Sequence, residues 1–503
     1  MNALPFAKGL GPLALALATL NPALAESPGL LPALNIDLTQ TTVSGISSGA
    51  FMAVQFGVAH SAAVRGIAAT AGGPYFCAGQ DAWAGAGVGK AIARCMQGDP
   101  AYPAQPITPA DLEHMTAAAR AWAAKGLIDP VANLARQRLW LFHGSNDGVV
   151  KQPVNAALEQ WFAGFAPASQ RFTQDSFNAG HAQISAACAG SACQPCARTG
   201  GEFINACRSN AEAAPYDAAG GALQMFYGPL ARTASDALGA KPQAFDQRVH
   251  TRRAGAAVAP LKISLAEQGY VYVPKDCADG AACRLHIAFH GCQQQAEVIG
   301  EAFVNKAGFN EWADANRIVV LYPQTVAAVA PPQTPLNPQG CWDWWGYNDF
   351  GWDMAGHYAT AGGDQIASVW SMAERLAAGS RAATSAPAAG VPELRVADRA
   401  DNQIVLAWHI VPGASAYRLL RDGVAVAEIA AAQAPSWVDN GLQPDTAYTY
   451  RLLSVDAEGR EAVLANALIV QTTTPPAACD PYFSLAQNRP VTRKNRPTRQ
   501  ICP

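Results

Sequence analysis

No charge of either sign dominates this chain: 35 Lys and Arg stand against 38 Asp and Glu, a net −3 over 503 residues. A chain-wide footprint for nucleic acid is thereby excluded. Charge is scarce altogether, at 15% against about 25% in ordinary soluble chains. Half of the residues are apolar, enough to fill a large core, so a mainly disordered chain is excluded too. Beyond the first 25 residues no clean apolar run reaches the length of a bilayer span, and none is expected to cross a membrane. Cys193 and Cys196 form a C-x-x-C, but no second such pair stands at zinc-finger spacing and no redox βαβ unit surrounds it. Glycine (44) and proline (35) are plentiful without a collagen-like period, which implies many loops.

What is present begins with an export signature. Lys8, the short apolar run Gly9 to Leu20 and the small residues of Ala23-Leu24-Ala25 read as a secretory signal over 1–25, cleaved near Ala25. Twelve cysteines at irregular spacing agree with an oxidising destination. Local disulfides are expected within Cys188 to Cys207, between Cys277 and Cys283, and between Cys479 and Cys502, with the full connectivity left open.

Residues 26–378 alternate β-like runs with amphipathic stretches, the pattern of a mostly parallel sheet covered by helices: an α/β catalytic domain. Central strands are predicted over 284–290 and 317–323, another at 135–141, and a helix over 364–376. Residues 379–390 are small and Pro-containing and read as a linker. Residues 391–474 change to alternating runs broken by turns, an all-β sandwich. The segment 475–503 is a basic tail bounded by Cys479 and Cys502, with Arg489, Arg493, Lys494, Arg496 and Arg499 against Asp480.

Gly45-Ile46-Ser47-Ser48-Gly49 matches G-x-S-x-G between a β-prone T-T-V-S and the helical F-M-A-V-Q-F-G-V-A. Strand, sharp turn and helix are the setting in which that motif lifts a serine hydroxyl out of a sheet. Ser47 is the candidate nucleophile, and the Ser48 backbone N–H can face an oxyanion. A serine needs a base, and the base an orienting acid. Asp147 in H-G-S-N-D-G-V-V and His181 in N-A-G-H follow in the chain order of α/β-hydrolases. Asp175 and His143 are the rivals. Asp175 lies close before His181 in sequence, and His143 reads as a structural residue of the acid loop.

A second oxyanion donor ordinarily comes from a loop preceding the nucleophile strand. No suitable H-G turn lies between Glu26 and Ser47, but His290-Gly291-Cys292 follows a central strand late in the chain. The simplest account is a circular permutation. Residues 263–378 would supply the first half of the sheet, 38–228 the second, and 229–262 the new join.

The segments G-I-S-S-G-A-F-M-A, H-G-S-N-D-G-V-V, N-A-G-H, G-Y-V-Y-V-P-K-D-C, C-R-L-H-I-A-F-H-G-C and N-P-Q-G-C-W-D-W-W-G-Y make the chain resemble extracellular poly(3-hydroxybutyrate) depolymerases with the lipase box near the N-terminus. The resemblance implies a circularly permuted α/β-hydrolase acting on polyester in solid or oligomeric form. It implies a secreted bacterial enzyme and a monomer, without cofactor, metal, nucleic acid or membrane insertion. It assigns Ser47, Asp147 and His181 to the triad and the Ser48 and Cys292 amides to the oxyanion hole. Residues 391–474, with Trp408, Tyr448 and Tyr450, resemble a fibronectin type III module. The tail is far shorter than the family's polymer-binding domain and reads as a short remnant of one. Substrate contact is expected from the aromatic cluster Trp342, Trp344 and Trp345, with at least one tryptophan in the core, and from Tyr75 at the rim. The alternatives are a secreted esterase for soluble hydroxybutyrate oligomers or feruloyl and acetyl esters, and a catalytically inactive secreted binding protein.

Overall fold

The structure, a computed structural model, describes residues 28–79, 87–188, 193–331, 333–349, 356–379, 394–408, 414–431, 436–456 and 461–473. The secretory signal, nearly all of the linker, and the tail with Cys479 and Cys502 lie outside these residues. The chain divides into two compact units, Met1–Ala383 and Thr384–Pro503.

The first unit is built on one eight-stranded sheet. Its strands are β1 (Thr41–Ile46), β2 (Val64–Thr70), β3 (Arg138–Phe142), β4 (Arg171–Gln174), β5 (Gln243–Asp246), β6 (Gln268–Tyr272), β7 (Arg284–Phe289) and β8 (Ile318–Tyr322). Their order across the sheet is β4-β3-β2-β1-β7-β8-β6-β5. β6 runs antiparallel to both of its neighbours, and every other pairing is parallel. The central strands are buried along nearly their whole length, as continuous apolar runs such as I-V-V-L-Y require in a sheet covered on both faces.

β1 thus sits between β2, the next strand in sequence, and β7, which is hundreds of residues away; Thr42 pairs with His286 and Gly45 with Phe289. This is the rewiring expected from the late H-G-C turn. One boundary needs correction: β5, inside the 229–262 segment assigned to the join, is the edge strand of the sheet. Its four residues, Q-A-F-D, hold a single large apolar side chain, Phe245, too short a pattern to show a period.

Five helices of ten residues or more flank the sheet: α1 (Ser48–Ala59), α2 (Pro109–Ala124), α3 (Gln152–Ala163), α4 (Ala218–Tyr227) and α5 (Asp364–Leu376). α1 is apolar all round and all twelve of its residues are buried, as a helix at the centre of a large core must be. α5 covers the span its periodicity predicts. Among the described residues no helix is long and apolar enough to cross a membrane.

The described cysteines form five disulfides: Cys77–Cys95, Cys188–Cys193, Cys196–Cys207, Cys277–Cys283 and Cys292–Cys341. Cys193 and Cys196 therefore belong to different bridges, against a redox pair.

The second unit is the expected all-β sandwich. Its strands are β9 (Arg395–Arg399), β10 (Gln403–Ala407), β11 (Ala416–Arg421), β12 (Val424–Ala430), β13 (Ser436–Asn440), β14 (Ala447–Val455) and β15 (Glu461–Gln471). They form two antiparallel sheets, β9-β10-β13 and β12-β11-β14-β15. Trp408, Tyr417 and Tyr450 fill the core between them. The Tyr448 hydroxyl accepts the Gln443 N–H at 2.8 Å, five residues upstream, the corner contact typical of such sandwiches.

Candidate active site

The candidate residues follow the carboxyl ends of β1, β3 and β4, with β2 between β1 and β3. Ser47 N–H donates to Thr70 O at 3.0 Å and Ala71 N–H to Phe142 O at 2.9 Å, so β1, β2 and β3 end side by side. Ser47 sits at the break between β1 and α1 with φ 55° and ψ −124°, a sparsely populated backbone conformation for a residue with a side chain. The flanking glycines make this turn possible. A Cβ at Gly45 would collide with the backbone of Gly49, and one at Gly49 with the carbonyls of Phe289 and His290. The G-x-S-x-G motif is therefore steric at both ends.

Asp147 lies in the loop from β3 to α3. Its Oδ1 accepts the amides of Val149 at 2.8 Å and Val150 at 3.1 Å. Its Oδ2 lies 2.7 Å from His181 Nδ1. The carboxylate thus holds the proton on Nδ1 and leaves Nε2 as a free base. The loop carrying His181 is fastened to the acid loop by Ser145 N–H to Phe177 O and Asn146 N–H to Ala179 O, while His181 N–H donates to Thr199 Oγ1. His143 Nε2 binds Val150 O at 2.8 Å, the structural part expected of it. Asp175 is exposed. Ser47, Asp147 and His181 are all nearly buried, at 9%, 8% and 5% exposed.

The turn after β7 closes the site from the other side. A Cβ on Gly291 would stand 3.4 Å from Ser47 Cβ, so the H-G-C turn lies against the nucleophile candidate. His290 Nδ1 binds Gly291 O at 2.7 Å, and Gln294 N–H donates to the same carbonyl at 3.2 Å. His290 Nε2 accepts from Thr325 N–H at 3.2 Å, which places the ring proton on Nδ1. Because the peptide is planar and trans, fixing Gly291 C=O turns the Cys292 N–H to the opposite side. The Cys292–Cys341 bridge ties the turn to the tryptophan loop. Ser48 opens α1, so its N–H has no intrahelical acceptor and stands at the positive end of the helix dipole. These are the two donors assigned to an oxyanion.

The structure corrects part of the aromatic expectation. Trp342 is wholly buried, with its ring against Phe289 and His290, and its backbone N–H donates to Ser48 Oγ at 3.3 Å. Tyr75 is wholly buried, its hydroxyl bound to Ala359 O at 2.8 Å. Trp344 stacks on Phe51 with centroids 4.0 Å apart and is almost closed off. Trp345, packed edge-on against Trp344 and Tyr347, is half-buried and keeps some surface. The cause is Asp343, whose carboxylate gathers the amides of Gly346, Tyr347 and Asn348 and turns the loop back into the core. Burial, and next the charge of Asp349, push the Asp343 carboxyl upward; those three amides oppose the shift. A cavity of about 470 Å³ lined by Leu261, Leu265, Tyr270, Ala296 and Val326 lies beside Thr325. It holds none of the triad candidates and is not part of this site.

Sequence reasoning missed Thr199 and Gln294. The run Gln293-Gln294-Gln295 directly after the H-G-C turn was the available signal, because amide side chains beside a tight turn often bind its backbone.

Burial holds four described histidines, His60, His250, His286 and His290, below the usual imidazole range and makes stability depend on pH; the last two lie beside β1 and in the H-G-C turn. His286 joins β7 to β1, with Nδ1 2.8 Å from Thr42 Oγ1 and Nε2 2.8 Å from Ser44 Oγ. Burial pushes His286 down to about 3 and His290 to about 4. Both stay neutral in the folded chain, whereas an unfolded histidine takes a proton below about pH 6.5. Their stabilisation is therefore complete above pH 6.5 and is lost as pH falls toward 4, by up to about 1.4 kcal/mol per pH unit for each histidine. Urea midpoints should fall steadily from pH 6.5 to 5, and less steeply in His286→Asn. A flat profile over that window would contradict the buried neutral pair.

This strand order, with a strained serine between a central strand and a buried helix, defines an α/β-hydrolase. No protein-family profile matches the chain. It is 33% identical over 444 residues to a poly(3-hydroxybutyrate) depolymerase of Delftia acidovorans, covering 87% of this chain and 80% of that one. It is 31% identical over 356 residues to a polyhydroxybutyrate depolymerase of Talaromyces funiculosus, covering 69% of this chain and 93% of the relative. Two solved structures, a PHB depolymerase from Penicillium funiculosum and a serine-to-alanine PHB depolymerase complexed with an R3HB trimer, superpose with TM-score 0.56. Each is 30% identical, with 70% of this chain and 99% of the other covered. The chain belongs to the poly(3-hydroxybutyrate) depolymerase family.

Proposed function

We propose that this chain is a secreted serine esterase that hydrolyses poly(3-hydroxybutyrate), or a related polyhydroxyalkanoate, to short hydroxyacid oligomers. The observation that carries the reading is the 2.7 Å His181–Asp147 bond beyond the carboxyl ends of the strands, where Ser47 is held at positive φ beside the H-G-C turn. The family's depolymerases supply the substrate class. Export is supported by the five disulfides, which leave no free cysteine among the described residues.

His181 Nε2 takes the Ser47 proton as Oγ attacks an ester carbonyl, and Asp147 supports the imidazolium that forms. The Ser48 and Cys292 amides hold the oxyanion. His181 then protonates the leaving hydroxyl, the acyl group stays on Ser47, and water repeats the sequence to release the acid. Trp345 is the aromatic assigned to contact with the polymer strand.

The test compares clearing of an amorphous poly(3-hydroxybutyrate) suspension with hydrolysis of a soluble butyrate ester. Both activities are expected, and both should stop on treatment with a serine-directed phosphonate. Turnover of the soluble ester with the polymer and its oligomers untouched would replace this reading by a soluble-substrate esterase. No turnover of either would favour the inactive binding protein.

A further inference from the structure

We infer that Gln294 is a positioning residue that locks the oxyanion turn to the histidine loop, so that both halves of the rewired site keep one geometry. The inference rests on the serine-esterase reading above.

Gln294 is 1% exposed. Its Oε1 accepts Gly291 N–H at 2.7 Å. Its Nε2 donates to Glu202 O and to Phe203 O, each at 3.0 Å. One acceptor and both donor hydrogens of the carboxamide are therefore in use. The two ends reach different parts of the site. Gly291 belongs to the turn after β7, next to Ser47. Phe203 belongs to the segment behind His181: its ring meets the imidazole edge-on with centroids 6.4 Å apart, and its carbonyl also receives Gln183 N–H at 2.8 Å. Phe203 itself sits at φ 53°, a conformation that persists when its surroundings over-determine it.

The chemistry singles out glutamine. Glutamate would keep an acceptor for Gly291 but set a carboxylate oxygen against two partly buried carbonyls, which offer it no donor. Methionine has a similar length and none of the bonds. With the anchor gone, Gly291 N–H loses its partner and the turn is tied to the histidine loop no longer, the Gly291 carbonyl keeping only His290 and the backbone N–H of residue 294. Displacing an oxyanion donor costs transition-state binding and leaves ground-state binding nearly untouched.

The experiment compares Gln294→Glu and Gln294→Met with Ser47→Ala and the wild type on a soluble hydroxybutyrate oligomer ester. In both Gln294 variants kcat should fall about 10- to 100-fold with KM changed by less than about threefold. Phosphonylation of Ser47 should slow in parallel, because the phosphonate passes through the same charged geometry. In a Ser47→Ala background, adding Gln294→Glu should leave the affinity for a hydroxybutyrate trimer unchanged. Should Gln294→Met not fold, Gln294→Glu carries the test, since its volume is that of glutamine. Wild-type kcat in folded Gln294→Glu, with Ser47→Ala inactive, would overturn the inference and leave the esterase reading standing. A rise in KM with kcat unchanged would also overturn it. An active Ser47→Ala would remove the reading beneath it.

Discussion

Ser47→Ala is expected to lower ester hydrolysis by about 10⁴- to 10⁶-fold without loss of the fold. The hydroxyl is the attacking group, and the contact that seats the residue is the backbone bond of Ser47 N–H to Thr70 O. Alanine carries the same Cβ at φ 55°, so its stability should match the wild type. Ser47→Gly removes that Cβ and relieves the strain; it should be equally inactive but more stable, by about 1 kcal/mol or more. Asp147→Asn should cost about 10⁴ in kcat, because the amide no longer holds the proton on His181 Nδ1. Its Oδ1 bonds to Val149 and Val150 can survive in the amide, so the loop should persist. Initial rates on a soluble ester, with thermal melts of each variant, check the series. Near wild-type turnover in Ser47→Ala would remove the nucleophile.

Much of this site was legible in the sequence because its parts are local. G-I-S-S-G, H-G-S-N-D-G and N-A-G-H each carry their own turn chemistry; the first two land at the end of a strand and the third in the loop after β4. The rewired topology was legible as well, since an H-G turn that must reach Ser47 yet follows it by more than two hundred residues requires β7 to lie beside β1. What escaped is non-local. Gln294 gains its meaning from carbonyls in another loop, and no spacing rule reports that. Which tryptophan would lie in the core escaped for the same reason. Three tryptophans within Trp342 to Trp345 suggest a surface for substrate, but Asp343 folds the loop inward and buries Trp342 beneath the turn. β5 was missed because four residues cannot show a period.

A chain of residues 26–240 is expected not to fold at all. It would contain β1 to β4 and the three triad candidates, yet β1, buried along its whole length, would become an open edge. β1 would lose its pairing with β7, the His286 bonds to Thr42 and Ser44, and the backbone against which Gly49 packs. Soluble expression and a cooperative unfolding transition should both be absent. The complementary experiment restores the conventional order instead of breaking the sheet. The two ends of the first unit are already together: Leu34 N–H donates to Leu376 O at 2.7 Å, and Arg375 Nε donates to Leu31 O at 2.8 Å. A chain opened beside the exposed Asp236, running to Gly379 and continuing through a short flexible linker into residues 28–235, keeps every strand pairing of the sheet. Its turnover of a soluble ester should lie within about 10²-fold of the protein's own, the allowance for a 1 Å-scale shift at the site. The contrast matters more than either result: a break in the α4–β5 connection is lethal when the later segment is omitted and tolerated when it is reattached upstream. An active 26–240 fragment would mean that β7 and the H-G-C turn are dispensable. An unfolded re-ordered chain would mean that the native connection between α4 and β5 does more than join them.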